Sequence, residues 1–214
     1  MAADHQVCII MLGESGVGKT SLMLRFCKNV FKEAHKSTVS VDKYNKKISL
    51  NEKEIDLELW DTAGQERYNT IIKKYFRRAD GVVLAYDMTN LATFLKLSSW
   101  LDELRQLNEE ATVLIVGNKS DLPNQNQVSR TTVENYARDE NLDFCETSAK
   151  NNENVDEVFQ NLAMKVLEKK QISPFYKGGL VSTAVQTDDS LPSIISLDDD
   201  FGANPKQKKK GCCR

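Results

Sequence analysis

The chain has 214 residues, 40% hydrophobic and 28% charged, enough for one substantial core with something appended. A net charge of −2 argues against nucleic acid as the main partner. Residues 1–6 carry no cationic start or apolar run, no apolar stretch approaches the roughly 18 residues of a spanning helix, and Ala2 stands where N-myristoylation needs glycine, so the sequence predicts a protein made and kept in the cytosol.

Residues 7–12, Val-Cys-Ile-Ile-Met-Leu, form a continuous apolar run of strand length. Directly after it comes Gly13-Glu14-Ser15-Gly16-Val17-Gly18-Lys19-Thr20, the spacing of a phosphate-binding loop. Glycines let backbone N–H groups converge on phosphate oxygens, the helix that follows adds its positive end, Lys19 supplies a mobile charge, and Thr20 offers a hydroxyl to a magnesium ion. A nucleoside triphosphate is therefore the expected ligand, with Ser15, Gly16, Val17, Gly18, Lys19, Thr20 and Ser21 as its candidate contacts. Leu22 and Phe26 follow at helical spacing.

Ile48 and Leu50, then Ile55, Leu57 and Leu59, alternate with polar residues about Asn51-Glu52-Lys53, which predicts an antiparallel pair at a sheet edge. Residues 82–86 and 113–116 are continuously apolar, as parallel strands covered on both faces should be. Phe94, Leu97, Leu101 and Leu104 make one helical stripe, with Trp100 as a core neighbour, and Val155, Val158, Phe159, Leu162 and Val166 make another.

Strands alternating with helices predict an α/β fold with a doubly wound, mostly parallel six-stranded sheet, one antiparallel edge strand and helices on both faces. Ligands of such sheets bind beyond the carboxyl ends of the strands. Three more motifs follow apolar strands and should meet the phosphate loop on that rim. They are Asp61-Thr62-Ala63-Gly64-Gln65, Gly117-Asn118-Lys119-Ser120-Asp121, and Thr147-Ser148-Ala149-Lys150 after residues 142–145.

In order and spacing these motifs resemble those of small GTPases of the Ras superfamily, and of the Rab family in particular, over about residues 6–170. The resemblance implies a GTP/GDP switch that hydrolyses GTP slowly and recruits effectors in vesicle trafficking. Chemistry supports the base independently: guanine presents an N1–H beside an exocyclic amine, and the carboxylate of Asp121 can accept both. The resemblance adds Asn118 and the backbone of Ala149 at the purine oxygen, with Ser148 beside them and Lys119, Lys150 and Phe31 flanking the base. Asp61, after a strand at the rim, can hold magnesium through water alongside Thr20. In the family, Thr38 joins the ion and the Gly64 N–H bonds the γ-phosphate only in the triphosphate state, and Gln65 orients the attacking water. No arginine finger is evident in cis, so an activating protein is expected, together with an exchange factor, a prenylation escort and a dissociation inhibitor. A monomer is expected.

Two of the three aromatics of the family's effector surface stand here as Trp60 and Tyr75. The third is replaced by Lys43, and Ser40 also departs from the pattern. Two readings of Lys43 stand: a changed effector contact, or a solvated face shared with Lys46 and Lys47.

Cys8, Cys27 and Cys145 read as small buried hydrophobes, and with only His5 and His35 present a metal cluster is not expected. Beyond Lys170, residues 171–211 hold three of the four prolines and four of the ten glycines, as a flexible tether would. Residues 193–201 mix Ile194, Ile195 and Leu197 with three aspartates, which fits a spacer or a docking motif. Residues 212–214 close the chain after a lysine run. Cys212 and Cys213 resemble the double-cysteine ends of Rabs that receive geranylgeranyl groups, which implies a lipid-anchored protein on the cytoplasmic face of intracellular membranes, with a cytosolic pool.

Overall fold

The computed structural model describes residues 5–33, 38, 41–62 and 69–172, all within the compact unit Met1–Lys177. In chain order its elements are β1 (His5–Leu12), α1 (Lys19–Lys28), β2 (Asp42–Leu50), β3 (Lys53–Asp61), α2 (Asn69–Phe76), β4 (Gly81–Asp87), α3 (Leu91–Leu95), α4 (Leu97–Leu107), β5 (Thr112–Asn118), α5 (Arg130–Asp139), β6 (Asp143–Thr147) and α6 (Val155–Ile172). The sheet order is β2-β3-β1-β4-β5-β6, with β2 antiparallel to β3 and every other pairing parallel. The expected sheet is therefore present, edge strand included.

Two cores explain the strand patterns. Val7, Ile9 and Met11 of β1 face one core with Leu22, Met23 and Phe26 of α1 and Phe159, Leu162 and Val166 of α6. Ile10 and Leu12 face the other, against Phe76 of α2, Phe94 of α3, Leu97 and Leu101 of α4, and Val133 of α5. A strand covered on both faces is apolar at every position, and each buried Leu, Ile or Val contributes about 1.5–3 kcal/mol. In β3, by contrast, Ile55, Leu57 and Leu59 face the first core, while on the other face Asp56 and Trp60 are only partly covered and Glu58 is buried by its bonded neighbours. Stacking of Phe26 on Phe159, with ring centroids 4.1 Å apart, fastens α1 to α6.

Some boundaries differ from the sequence reading. The β2–β3 turn is Asn51-Glu52 alone, with φ of 50° and 65°, since Leu50 already pairs with Lys53. The Phe94 to Leu104 stripe spans two helices joined at Lys96, whose right-handed backbone keeps the side-chain phase. β6 ends at Thr147, two residues beyond the apolar run. The three cysteines are half-buried, not fully buried, and burial raises each thiol, Cys8 to about 11 with Glu58 and Asp80 adding to the effect. Among the described residues no helix is long and apolar enough to cross a membrane, and no cluster of three His, Cys, Asp or Glu could hold a metal.

Candidate nucleotide and metal site

The segments after β1, β3, β5 and β6 meet at the carboxyl ends of the strands. In the phosphate loop Gly13 and Gly18 have φ of 129° and 97°, and both lack room for a side chain: a Cβ on Gly13 would strike the Ala85 carbonyl, and one on Gly18 the Asn118 amide. Lys19 is nearly closed off from solvent, and its Nζ donates to the carbonyls of Gly13 at 2.7 Å and Glu14 at 2.9 Å. Burial lowers its ammonium to about 8, with the carboxylates of Asp61 and Glu14 working the other way. Anionic phosphate in the cleft would favour the charged form. Glu14 in turn accepts the indole N–H of Trp100 at 3.0 Å, so Trp100 both fills the core and steadies the loop.

Thr20 at the start of α1 donates its hydroxyl to Asp61 at 2.6 Å and lies 2.9 Å from the hydroxyl of Thr38. Since Thr20 has one proton, Thr38 is the donor in the second bond. Beside Asp61, Thr62 is tied to the Met11 carbonyl at 2.5 Å, which fixes the end of β3 against β1. Two hydroxyls and one carboxylate make an all-oxygen set that fits a magnesium ion. With a single carboxylate, such an ion would need further oxygen donors, which water and phosphate would supply.

At the base end, buried Asn118 donates to the Val17 carbonyl at 2.9 Å and accepts from the Ala149 N–H at 3.2 Å. It thus ties the phosphate loop to the loop after β6, a role its position in the motif does not reveal. Asp121 accepts the Ser148 hydroxyl at 2.7 Å, and Ser148 is held by the Asn151 N–H at 2.9 Å. Lys119, with φ of 74°, meets Asp87 at 2.5 Å.

The cleft holds about 390 Å³, within the range of about 300–1,000 Å³ usual for small-molecule sites. Ser15, Gly16, Gly18, Lys19, Thr20 and Ser21 line its phosphate end. Phe31, Asn118, Lys119, Asp121, Ala149 and Lys150 line the end expected to take the base, and Thr38 lines the cleft beside Thr20. Val17, Asp61 and Ser148 are not among its lining residues: the Val17 carbonyl holds Asn118, Asp61 is buried and bonded to Thr20, and Ser148 is bonded to Asp121. Gly64 and Gln65 lie outside the described residues, as do Ser40, Cys212, Cys213 and the tail segment 193–201.

Beside the cleft, Lys43 of β2 pairs in register with Trp60 of β3. Its Nζ bonds Glu58 at 2.8 Å and stands 5.2 Å from the Trp60 ring, while the Trp60 indole N–H reaches the other Glu58 oxygen at 2.8 Å. Trp60 packs on Tyr75 with centroids 4.5 Å apart. Burial works to raise the Glu58 carboxyl, but hydrogen bonds from Lys43 and Trp60, with the charges of Lys43 and Arg78, hold it below the usual carboxylate range. The reading of Lys43, Lys46 and Lys47 as one solvated face is corrected. Side chains alternate along β2, and Lys46 lies on the opposite face, 3.7 Å from the Phe26 ring and bonded to the Phe26 carbonyl at 2.6 Å.

A glycine-rich loop and helix start, an oxygen donor set, and a carboxylate at the far end of one cleft define a P-loop nucleotide-binding protein. The model of the Ras family matches residues 8–168. Ras-related protein Rab-12 of Mus musculus is 46% identical over 169 residues, 78% of this chain and 70% of that protein. Ras-related protein Rab-21 of Mus musculus is 37% identical over 206 residues, 96% of this chain and 90% of the relative. Ras-related protein RABD2b of Arabidopsis thaliana is 36% identical over 211 residues, 98% and 96% respectively. The chain belongs to the Ras family of small GTPases and, within it, to the Rab proteins. It binds guanine nucleotide and hydrolyses GTP, and as a Rab it works through regulators and effectors.

Proposed function

We propose that the chain is a membrane-anchored trafficking switch whose two conformations are set by a magnesium ion and the γ-phosphate held between Thr20, Asp61 and Thr38. The observation that carries this is the meeting of those three side chains, from the phosphate-loop helix, the end of β3 and the segment before β2. The ion, when bound, neutralises phosphate charge. Lys19 and the loop N–H groups hold the phosphates, Asp121 holds the guanine amine and N1–H, and Ala149 meets the purine oxygen. Gln65 positions the water, and an outside arginine completes the charge stabilisation. Thr38 joins only when the third phosphate is there, so hydrolysis releases its segment. Hydrogen exchange measured with magnesium and either GDP or a non-hydrolysable GTP analogue tests this. Amides of residues 34–41 and 62–68 should be protected in the analogue state alone, and equal protection in both states would rule the switch out.

Effectors would meet the surface of Lys43, Trp60 and Tyr75. Residues 1–170 form the GTPase domain, residues 171–211 tether it, and geranylgeranyl groups on Cys212 and Cys213 hold it to the cytoplasmic face of intracellular membranes, with escort and dissociation inhibitor supplying a cytosolic pool. At about 0.8 kcal/mol per buried carbon, two such chains outweigh the contribution of the neighbouring lysines, about 1 kcal/mol each. Changing both cysteines to serine should move the protein from the membrane pellet to the soluble fraction. Retention in the pellet would reject the lipid anchor.

A further inference from the structure

Arg25 lies in the second half of α1, and two of its partners lie 124 and 125 positions further along the chain. Nε donates to the Ala149 carbonyl at 2.9 Å and Nη2 to the Lys150 carbonyl at 2.9 Å. Nη1 reaches the carbonyl and side-chain oxygens of Asn29 at 3.3 and 3.0 Å, and the guanidinium stands 6.0 Å from the Phe31 ring centroid. A guanidinium is a planar fork with fixed donor directions, so separate nitrogens hold the two successive carbonyls at set angles while a third serves Asn29, which a single ammonium nitrogen cannot do. The helix that opens with Lys19 and Thr20 at the phosphate end thus also clamps the loop at the base end.

That loop is gripped from two sides. Arg25 holds its carbonyls, while Asn118 accepts the Ala149 N–H and Asp121 accepts the Ser148 hydroxyl. In a trans peptide the N–H points away from the carbonyl of the same plane. Fixing the Ala149 and Lys150 carbonyls therefore fixes the Lys150 and Asn151 N–H groups on the opposite side, where the Asn151 N–H is seen on Ser148. Without the fork, the Ala149–Lys150 peptide loses the bond that sets its direction and can turn its carbonyl toward the guanine carbonyl, oxygen facing oxygen. The plainer role of Arg25, a cation closing the end of its own helix, accounts for the bonds to Asn29. It does not account for those to Ala149 and Lys150, which are 124 and 125 positions away.

We propose that Arg25 is a positioning residue for guanine recognition: by setting the Ala149–Lys150 peptide it directs the Lys150 N–H to the purine oxygen, next to the Ala149 N–H that Asn118 holds in place. It acts through the loop and does not touch the ligand. The proposal rests on the assignment of Ala149 to the purine oxygen made above.

Competition of a fluorescent GDP with GDP, 6-thio-GDP and IDP separates the contacts. The sulfur of 6-thio-GDP is a larger and weaker acceptor at the position the loop reads, and IDP lacks only the amine that Asp121 reads. In Arg25→Ala, GDP affinity should fall about tenfold, as for loss of hydrogen bonds from a charged group, and the preference for GDP over 6-thio-GDP should shrink by a similar factor. The preference for GDP over IDP should hold within about twofold. Arg25→Lys, a gentler change for folding that keeps the charge but not the fixed fork, should show the same split at smaller size. An unaltered oxygen-over-sulfur preference in both variants would overturn the proposal, and so would an equal loss of both preferences, the mark of general loosening. Wild-type protein indifferent to the oxygen-to-sulfur exchange would remove the assignment of Ala149 itself.

Discussion

Replacing Asp121 by asparagine is expected to weaken GDP binding by about 10²–10⁴-fold and to turn the site toward xanthine nucleotides. Xanthine carries a carbonyl where guanine has its amine, so the base then offers an acceptor in place of a donor. Ser148 decides which way the new amide points. Its hydroxyl oxygen already receives the Asn151 N–H and its proton goes to the side chain at 121, so the asparagine oxygen takes that proton and the NH₂ group is left for the base. Competition binding with GDP and XDP measures the exchange. A variant that keeps its guanine preference would take Asp121 out of base recognition.

Gln65→Leu is expected to retain GTP binding while its stimulated hydrolysis falls by roughly 10³–10⁵-fold, the range that an outside arginine supplies to this class of reaction. Leucine is close to glutamine in size but has no amide to hold the attacking water, and the groups assigned to the phosphates, Lys19 and the glycine loop, lie elsewhere in the chain. The segment that carries Gln65 starts from a firm base, because Thr62 is tied to Met11 and Asp61 to Thr20. Single-turnover phosphate release with a saturating activating protein is the measurement, and full turnover in the variant would end the role given to Gln65.

Much of this site was legible in the sequence because its chemistry is local. Gly13 to Thr20 is a single turn and helix start, and Asn118-Lys119-Ser120-Asp121 is a single loop, so spacing along the chain reports geometry in space. The sheet was legible for the related reason that burial on one face or two writes itself into β3 and β1 as alternation or continuity. What the sequence hid are bonds between distant segments made by ordinary residues. Arg25 on Ala149, Trp100 on Glu14 and Asn118 on Val17 join positions 124, 86 and 101 apart, and no local pattern marks any of them. Trp100 was read as core because its helical phase is all that the sequence shows. Charge alone groups Lys46 with Lys43 and Lys47, whereas strand geometry sends Lys46 to the opposite face.

The carboxylate at position 58 engages Lys43 and the Trp60 indole together. An aromatic ring placed at 43 would take the ammonium from a carboxylate in a nearly closed corner and leave it only neutral donors such as the Trp60 indole and the Gln6 amide, so any exchange of this surface has to treat positions 43 and 58 as a pair.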